Sequence, residues 1–326
     1  MHALNSRDGA TALISPAGWT RRSGAQMRHR AKPNPLSLLV MALIVTGLGA
    51  ACTSQTAASD TSAASHIIQN KGSDTIVNMA LAWAEAYRSV DPTVSISVTG
   101  GGSGTGIAAL INGTVDIANA SRQITDDEIA SAQKNGINPV EFVVAVDALA
   151  VIVNPKNPVS ELTIPQLSDI FTGRVTNWRD VGGRDGPIVL VSRESNSGTH
   201  VYFLENVVRQ GNKKSKDLFA KETLLMPSSV GIISEVGRNP NAIGYDGLGY
   251  VTNDVKLIAV AKTSDGPYIV PSVETGANGT YPLARNLYMY TAGEPDSVIK
   301  KYLDWIRGPD GQKIVAKLGF VPVKGD

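Results

Sequence analysis

From residue 66 onward, short β-branched and apolar runs alternate with stretches in which apolar residues recur at helical spacing. HIIQNK, VSISVTG and VDIANA have the composition of strands, and a helical stretch follows each of them. In the first such stretch, Ile76, Met79, Ala80, Trp83 and Tyr87 share one helix face. The alternation predicts βαβ units of an α/β fold with a parallel sheet. It also places Trp83 and Tyr87 in the core rather than in an aromatic ligand site.

Two longer apolar runs depart from this alternation of short strands and helices: EFVVAVDALAVIVNP at 141–155 and YPLARNLYMY at 281–290. The first is predicted to be an extended strand that passes between two lobes, and the second is predicted to be another long strand. PIVLVS and NAIGYDGLGYV indicate further strands, and a helix is predicted from Thr199. Two helical patterns within SVIKKYLDWIRGPDGQKIVAKLGFVPV close the chain.

The region before residue 66 has the pattern of an export signal. Residues 36–51 are uncharged and mostly apolar, basic residues precede them, and small residues lead to Cys52. The run is short for a membrane span, which needs about 20 residues. We therefore predict a signal peptide over residues 1–51, with Met27 as an alternative start.

Cys52 is the only cysteine of the chain, so no internal disulfide can form. Gly49-Ala50-Ala51-Cys52 resembles a bacterial lipobox, although Gly49 stands where a leucine is usual. Lipidation of Cys52 is predicted, and ordinary signal cleavage near Ala51 is the alternative. The small polar residues TSQTAASDTSAAS after the cysteine predict a flexible tether over residues 52–65.

Composition narrows the classes of function. The formal net charge is +1 at pH 7, which gives no electrostatic case for nucleic acid. No Cys/His cluster has the spacing of a structural metal site, so neither a metal nor a cofactor is predicted. The residues after the tether suffice for one large or two medium lobes.

Candidate chemistry lies in three segments that share the order strand, Gly/Ser/Thr loop and helix start: KGSDT at 71–75, GGGSGTG at 100–106 and RESNSGTH at 193–200. A helix N-terminus offers unpaired N–H groups and about half a positive charge. Glycine lets an anion approach the backbone closely. If the three loops converge, they form an oxyanion site that needs few cationic side chains.

Arg193 is the main candidate cation, because a guanidinium can donate two parallel hydrogen bonds to a tetrahedral oxyanion. Ser121-Arg122, after VDIANA, adds a fourth loop at the end of the sheet where such folds bind ligands. The candidate ligand-binding residues are Ser73, Asp74, Thr75, Ser103, Ser121, Arg122, Arg193, Ser197, Gly198 and Thr199.

Each loop taken singly has a simpler interpretation, since serine and glycine are favoured at any helix start. The P-loop pattern fails because no lysine follows Gly106, and the nucleophile-elbow pattern fails because Thr105 stands at its closing position. A Ser197/His200 pair as nucleophile and base is conceivable. However, residues three apart at a helix start are ordinarily a helix cap and a neighbouring side chain. No catalytic residue is predicted.

The chain resembles the periplasmic phosphate-binding proteins that serve phosphate ABC transporters. The resemblance runs from about residue 67 to 323 and is carried by GSDTIVNMALAWAEAY, VTGGGSGTGIAALINGTVDIANASRQI, LTIPQLSDIFTGRVTNWRDVGG, RESNSGT, NAIGY and GPDGQKIVAKLGFVPV. It implies a two-lobe type II periplasmic-binding-protein fold whose cleft closes on the anion. Lobe 1 would comprise 66–146 and 275–326, and lobe 2 would comprise 147–274.

The resemblance further implies reversible binding without catalysis. The expected partners are inorganic phosphate, the transmembrane subunits of an ABC permease, and the membrane through a lipid anchor. The expected state is a monomer in the periplasm or at the outer face of the cytoplasmic membrane. Other readings are a binding protein for sulfate or molybdate, a phosphate sensor, or a phosphatase or serine hydrolase built on the same loops.

One position departs from the family pattern. In some members an aspartate after the third strand accepts the proton of hydrogen phosphate, whereas here Arg122 stands at that place. Asp74 is the nearest alternative acceptor in the loops. Its ordinary interpretation is a cap of the helix that follows.

Overall fold

The computed structural model describes residues 66–323. The predicted signal peptide (1–51), Cys52 and the tether (52–65) lie outside the described residues. Within them the strands are β1 (His66–Gly72), β2 (Val94–Thr99), β3 (Ile117–Ala120), β4 (Val140–Val153), β5 (Glu161–Thr163), β6 (Val189–Arg193), β7 (Leu224–Met226), β8 (Ala242–Gly247), β9 (Lys256–Leu257), β10 (Ala259–Ala261) and β11 (Ala284–Thr291).

The α-helices connect these strands and close the chain. They are α1 (Asp74–Tyr87), α2 (Ser103–Ile111), α3 (Asp126–Lys134), α4 (Ile164–Phe171), α5 (Gly198–Phe203), α6 (Ser229–Arg238), α7 (Val273–Ala277), α8 (Ser297–Arg307) and α9 (Pro309–Lys317). The helix predicted from Thr199 begins one residue earlier and continues as a π-helical turn over Leu204–Val208.

The main sheet has the strand order β2-β1-β3-β11-β4-β8-β6-β7. At one end β1 runs parallel to β2 and β3, and at the other β6 runs parallel to β7 and β8. The predicted parallel βαβ arrangement is thus confirmed for both ends. The centre differs, because β4 and β11 run antiparallel to each other and to their outer neighbours.

β4 links the two parallel groups. It pairs with β11 through Ala148 and with β8 from Leu149 onward, so it changes its neighbour within one continuous strand. This is the physical basis of the long apolar run, since most of its side chains are covered on both faces. The lobe boundary at 146/147 stays a prediction, two residues from this change of neighbour.

The first helix shows how apolar spacing builds the core. Trp83 is fully buried and its indole N–H donates to the Gly311 carbonyl at 2.9 Å. The Tyr87 ring meets the Tyr302 ring edge-on, with centroids 4.9 Å apart. The prediction that both aromatic residues belong to the core is confirmed, and α1 is thereby fixed against α8 and α9.

Candidate anion-binding site

The loops that follow β1, β2, β3 and β6 meet at one edge of the sheet. Thr75 Oγ1 lies 2.9 Å from Thr199 Oγ1, and Ser103 Oγ lies 3.3 Å from Ser121 Oγ. Because parallel strands end at a common edge, the helices after them begin there as well. The hydroxyl-bearing candidates of these loops are all at most 3% exposed: Ser73, Thr75, Ser103, Ser121, Ser197 and Thr199.

The glycine-rich loop before α2 binds the loop after β6. Gly104 N donates to the Asn196 carbonyl at 3.0 Å, and Asn196 Nδ2 donates to the Gly101 carbonyl at 2.9 Å. Gly101 and Gly102 have φ of +113° and +92°, which side chains rarely adopt. Glycine is therefore required here for both the turn and the close approach of the two loops.

Gly198 packs closely against the loops that carry Ser103 and Ser121. A methyl group at this position would lie 2.6 Å from Ser121 Oγ and closer still to Ser103 Oγ. Its backbone φ is not in the left-handed region, so glycine is needed for space rather than for conformation.

Arg193 is the buried cation of the site, with a side chain only 1% exposed. Its Nη2 pairs with Asp74 Oδ2 at 2.6 Å and its Nη1 donates to Ser229 Oγ at 2.9 Å. Behind it, Asp246 Oδ2 lies 3.6 Å from Nη1. Burial raises the pKa of Asp246, although the positive charge of Arg193 opposes that rise. The guanidinium is thus held between one carboxylate in the cleft and one in the core.

Asp74 lies at the first position of α1, but its carboxylate bonds to other segments. Oδ1 accepts from Gly101 N at 2.9 Å, and Oδ2 accepts from Arg193. Neither donor belongs to α1, so these bonds do not cap that helix. A carboxylate has about four acceptor positions, and two remain for a proton offered from the cleft.

Arg122 is placed differently from the other candidates. It forms a two-bond pair with Glu128 at 2.8 and 2.7 Å, and Glu128 also completes the capping box of α3. Burial by itself raises the pKa of Glu128, but hydrogen bonds from Arg122 and Thr125 outweigh it, and the pKa is lowered. The structure therefore gives this guanidinium a carboxylate partner at the margin of the cluster.

Ser197 and His200 do not form a nucleophile–base pair. Ser197 Oγ accepts from Thr199 N at 3.2 Å and caps α5. His200 Nδ1 lies 2.8 Å from the Arg193 carbonyl, which requires a proton on that nitrogen. Burial lowers the pKa of His200, although the bond to that carbonyl opposes the shift. These contacts support the ordinary interpretation of this spacing, in which Ser197 caps the helix and His200 is only its neighbour.

Sequence reasoning missed several charged and polar residues around the site: Asp147, Ser229, Asp246 and Arg285. Asp147 on β4 and Arg285 on β11 form a buried ion pair at 2.9 Å. The three charged ones share a signal, because each is a single charge inside an otherwise apolar strand pattern. Such residues are rarely buried without a partner, and this signal could have identified them.

Together these groups can bind an anion. Buried hydroxyls and backbone N–H groups supply donors, Arg193 supplies charge, and Asp74 supplies an acceptor. Among residues 66–323 no group of three or more His, Cys, Asp or Glu side chains could hold a metal ion. In the same range, no helix has the length and apolar character needed to cross a membrane.

Known proteins are similar to this chain in sequence. A family model described as the PBP superfamily domain matches residues 53–309. The phosphate-binding protein PstS of Pseudomonas aeruginosa is 34% identical over 313 residues, covering 88% of this chain and 95% of the relative. The chain belongs to the PstS family of phosphate-binding proteins. PstS of Bacillus subtilis is 31% identical over 304 residues, covering 90% of this chain and 95% of the relative.

Solved structures agree with this family. A Clostridium perfringens structure with bound phosphate, named for a phosphate ABC transporter substrate-binding protein, is 33% identical with a TM-score of 0.71. It is matched over 79% of this chain and 100% of its own. An ABC-type phosphate transport receptor from Vibrio cholerae is 31% identical with a TM-score of 0.64, over 78% and 100%. The predicted type II periplasmic-binding-protein fold of the PstS family is confirmed.

Proposed function

We propose that this protein binds inorganic phosphate outside the cytoplasm and delivers it to the transmembrane subunits of an ABC permease. The observation that carries the proposal is the convergence of the loops after β1, β2, β3 and β6. Their buried hydroxyls meet in two pairs, Thr75 with Thr199 and Ser103 with Ser121. The buried guanidinium of Arg193 pairs with Asp74, the residue before Thr75. Membership of the PstS family supports phosphate as the anion.

In this proposal each group has a distinct task. Arg193 supplies the counter-charge, and the hydroxyls and N–H groups at the starts of α1, α2 and α5 donate to the phosphate oxygens. Asp74 accepts the proton that hydrogen phosphate carries and sulfate lacks. Arg122, which is paired with Glu128, borders the site. Its Nη2 lies 3.9 Å from the position that a methyl group on Gly104 would occupy.

The two proposed lobes, 66–146 with 275–326 and 147–274, would close on the anion. Contacts between them across the cleft include Thr75 with Thr199, Asp74 with Arg193, and Gly101 with Asn196. A ligand moves the open–closed equilibrium only by its preference for the closed form. Phosphate would supply that preference by bridging donors from both lobes.

Calorimetric titration of the purified protein tests the proposal. Phosphate and arsenate, which both carry a proton at neutral pH, are expected to bind, whereas sulfate and molybdate are expected to bind far more weakly. Tighter binding of sulfate or molybdate would assign the protein to another oxyanion. Incubation with a chromogenic phosphate ester is expected to give no turnover, and sustained release of phosphate would contradict a pure binding role.

Gly198→Ala is expected to raise the Kd for phosphate about 5- to 150-fold. The added methyl group would meet the Ser103 and Ser121 hydroxyls, and overpacking of this kind costs about 1–3 kcal/mol. Gly293→Ala is the matched control, because nothing lies within 4 Å of a methyl group there. Equal affinities for both variants and the wild type would show that the loops do not close at Gly198.

The protein is further proposed to act as a monomer held to the membrane by lipid on Cys52. Cys52 has no disulfide partner within the chain and precedes the tether. Cys52→Ser is expected to move the protein from the membrane fraction to the soluble envelope fraction, as followed by immunoblotting. A wild-type protein already soluble, with a mature N-terminus other than Cys52, would exclude the anchor.

A further inference from the structure

A second buried arginine lies against the proposed phosphate site. Arg285 on β11 faces Asp147 on β4 in direct register. Its Nε and Nη2 donate to Asp147 Oδ2 at 3.2 and 2.9 Å, and both residues are buried. Nη2 also donates to Thr199 Oγ1 at 2.9 Å. The ion pair therefore touches one of the proposed phosphate ligands directly.

The direction of this bond fixes the hydroxyl it reaches. A guanidinium can only donate, so Thr199 Oγ1 must accept from Arg285 and must send its own proton elsewhere. Thr75 Oγ1 lies 2.9 Å away, on the opposite side of the cleft. Either Thr199 donates to Thr75, which leaves the Thr75 proton for a ligand, or Thr199 donates to the ligand itself.

We propose that Arg285, held by Asp147, is a positioning residue that orients the Thr75–Thr199 hydroxyl pair so that one of its protons faces the bound anion. The proposal rests on the proposed function. A free hydroxyl rotates and can present either its proton or its lone pairs, whereas an anion accepts only protons. Preorganised donors bind more tightly because they lose less orientational freedom on binding.

Asp147 serves this arrangement as the counter-charge. Its Oδ1 accepts from Leu248 N at 3.2 Å, and its Oδ2 is engaged by Arg285. The carboxylate thus anchors the guanidinium between the paired strands β4 and β11. Arg285 Nη1 is buried with no hydrogen-bond partner among residues 66–323, so the pair is not a saturated structural bridge.

The guanidinium is also restrained from its other side. It lies over the Tyr202 ring, with Cζ 5.3 Å from the centroid. An aromatic face attracts a cation at this distance. The carboxylate, the ring and Thr199 together restrain the guanidinium, as is required of a group that directs another residue's hydroxyl.

A double-mutant cycle on the Kd for phosphate tests the proposal. Asp147→Asn/Arg285→Met removes both charges together, so the net charge beside the anion stays the same. In the wild-type background we expect the Kd to rise at least tenfold. In a Thr199→Val background, where the hydroxyl is gone, the same pair of changes is expected to alter the Kd less than threefold. A structural pair would instead weaken binding equally in both backgrounds, and that result would overturn the proposal.

Two further variants guard the interpretation. Arg285→Lys retains a buried cation beside Asp147 but cannot bond the carboxylate and Thr199 through one fork. It is expected to weaken binding at least threefold, and only when Thr199 is present. Arg285→Lys therefore tests the proposal even if the Asp147→Asn/Arg285→Met variant does not fold. Lys300→Met/Asp304→Asn removes an exposed pair on α8 and is expected to leave the Kd unchanged.

The wild-type titration separates the two proposals. If the protein binds phosphate but the losses are equal in both backgrounds, the role of Arg285 fails and the proposed function stands. If another tetrahedral oxyanion binds instead, the proposed ligand fails and the cycle is measured with that anion. Binding of no oxyanion would overturn both proposals.

Discussion

Arg193→Ala is expected to weaken phosphate binding about 30- to 5,000-fold. Removing one partner of a buried, hydrogen-bonded charge pair costs about 2–5 kcal/mol. The loss has two physical sources here. The anion loses its main counter-charge, and Asp74 is left facing it without the 2.6 Å ion pair that neutralises its charge. Calorimetry, or competition at high protein concentration for the weakest variants, measures the change.

The same substitution is also expected to lower the melting temperature. Asp246 is fully buried, and Arg193 is the cation beside it. Stranding such a charge costs about 3–5 kcal/mol of stability, a loss on the order of 10 °C for a domain of this size.

Arg193→Lys separates the two effects. It retains a charge near Asp246 and should recover stability, but a single ammonium cannot reproduce the planar fork. Arg174→Ala, which removes a half-exposed pair with Asp169, is the control with no expected effect on binding. Wild-type affinity for phosphate in a folded Arg193→Ala protein would show that Arg193 does not contribute to anion binding.

Asp74→Asn is expected to narrow the ratio of phosphate to sulfate affinity at least about tenfold. A carboxylate can accept the proton of hydrogen phosphate, whereas toward sulfate it presents only a like charge in a site that excludes water. Sites that bond a ligand's donor can reject analogues lacking it by about 10⁴–10⁵. The amide removes this repulsion and frees Arg193 from its cleft-side partner, so most of the change should come from stronger sulfate binding.

Titration of both anions into both proteins at neutral pH measures this ratio. Asp116→Asn is the matched control, since Asp116 bonds the backbone of Gln69 at an exposed site away from the cleft loops. An unchanged ratio would exclude Asp74 from the discrimination between phosphate and sulfate.

Much of the fold was readable from local pattern. The strand–loop–helix repeats predicted β1 to α3, and the spacing around Trp83 predicted a buried face of α1. The long run at 141–155 predicted β4. These features follow from burial at a fixed period, which neighbouring residues determine by themselves. The three loops were identified in the same way, since each combines helix-start residues with glycine.

The partners of the charged residues were not readable in this way. Arg193 and Asp74 are 119 positions apart, and their pairing depends on the folding of both halves against β4 and β11. Arg122 carried the same local signal as Arg193, yet Glu128, six positions later, engages it.

Sequence by itself therefore determined the segments, the family resemblance and the chemical type of the ligand. Only the tertiary structure decided which arginine faces which carboxylate, and that Arg285 reaches Thr199 from a distant strand. The reason is physical. Periodicity records which side of an element is buried, whereas a hydrogen bond needs two atoms within about 3 Å. That distance is set by how β4 and β11 bring remote loops together.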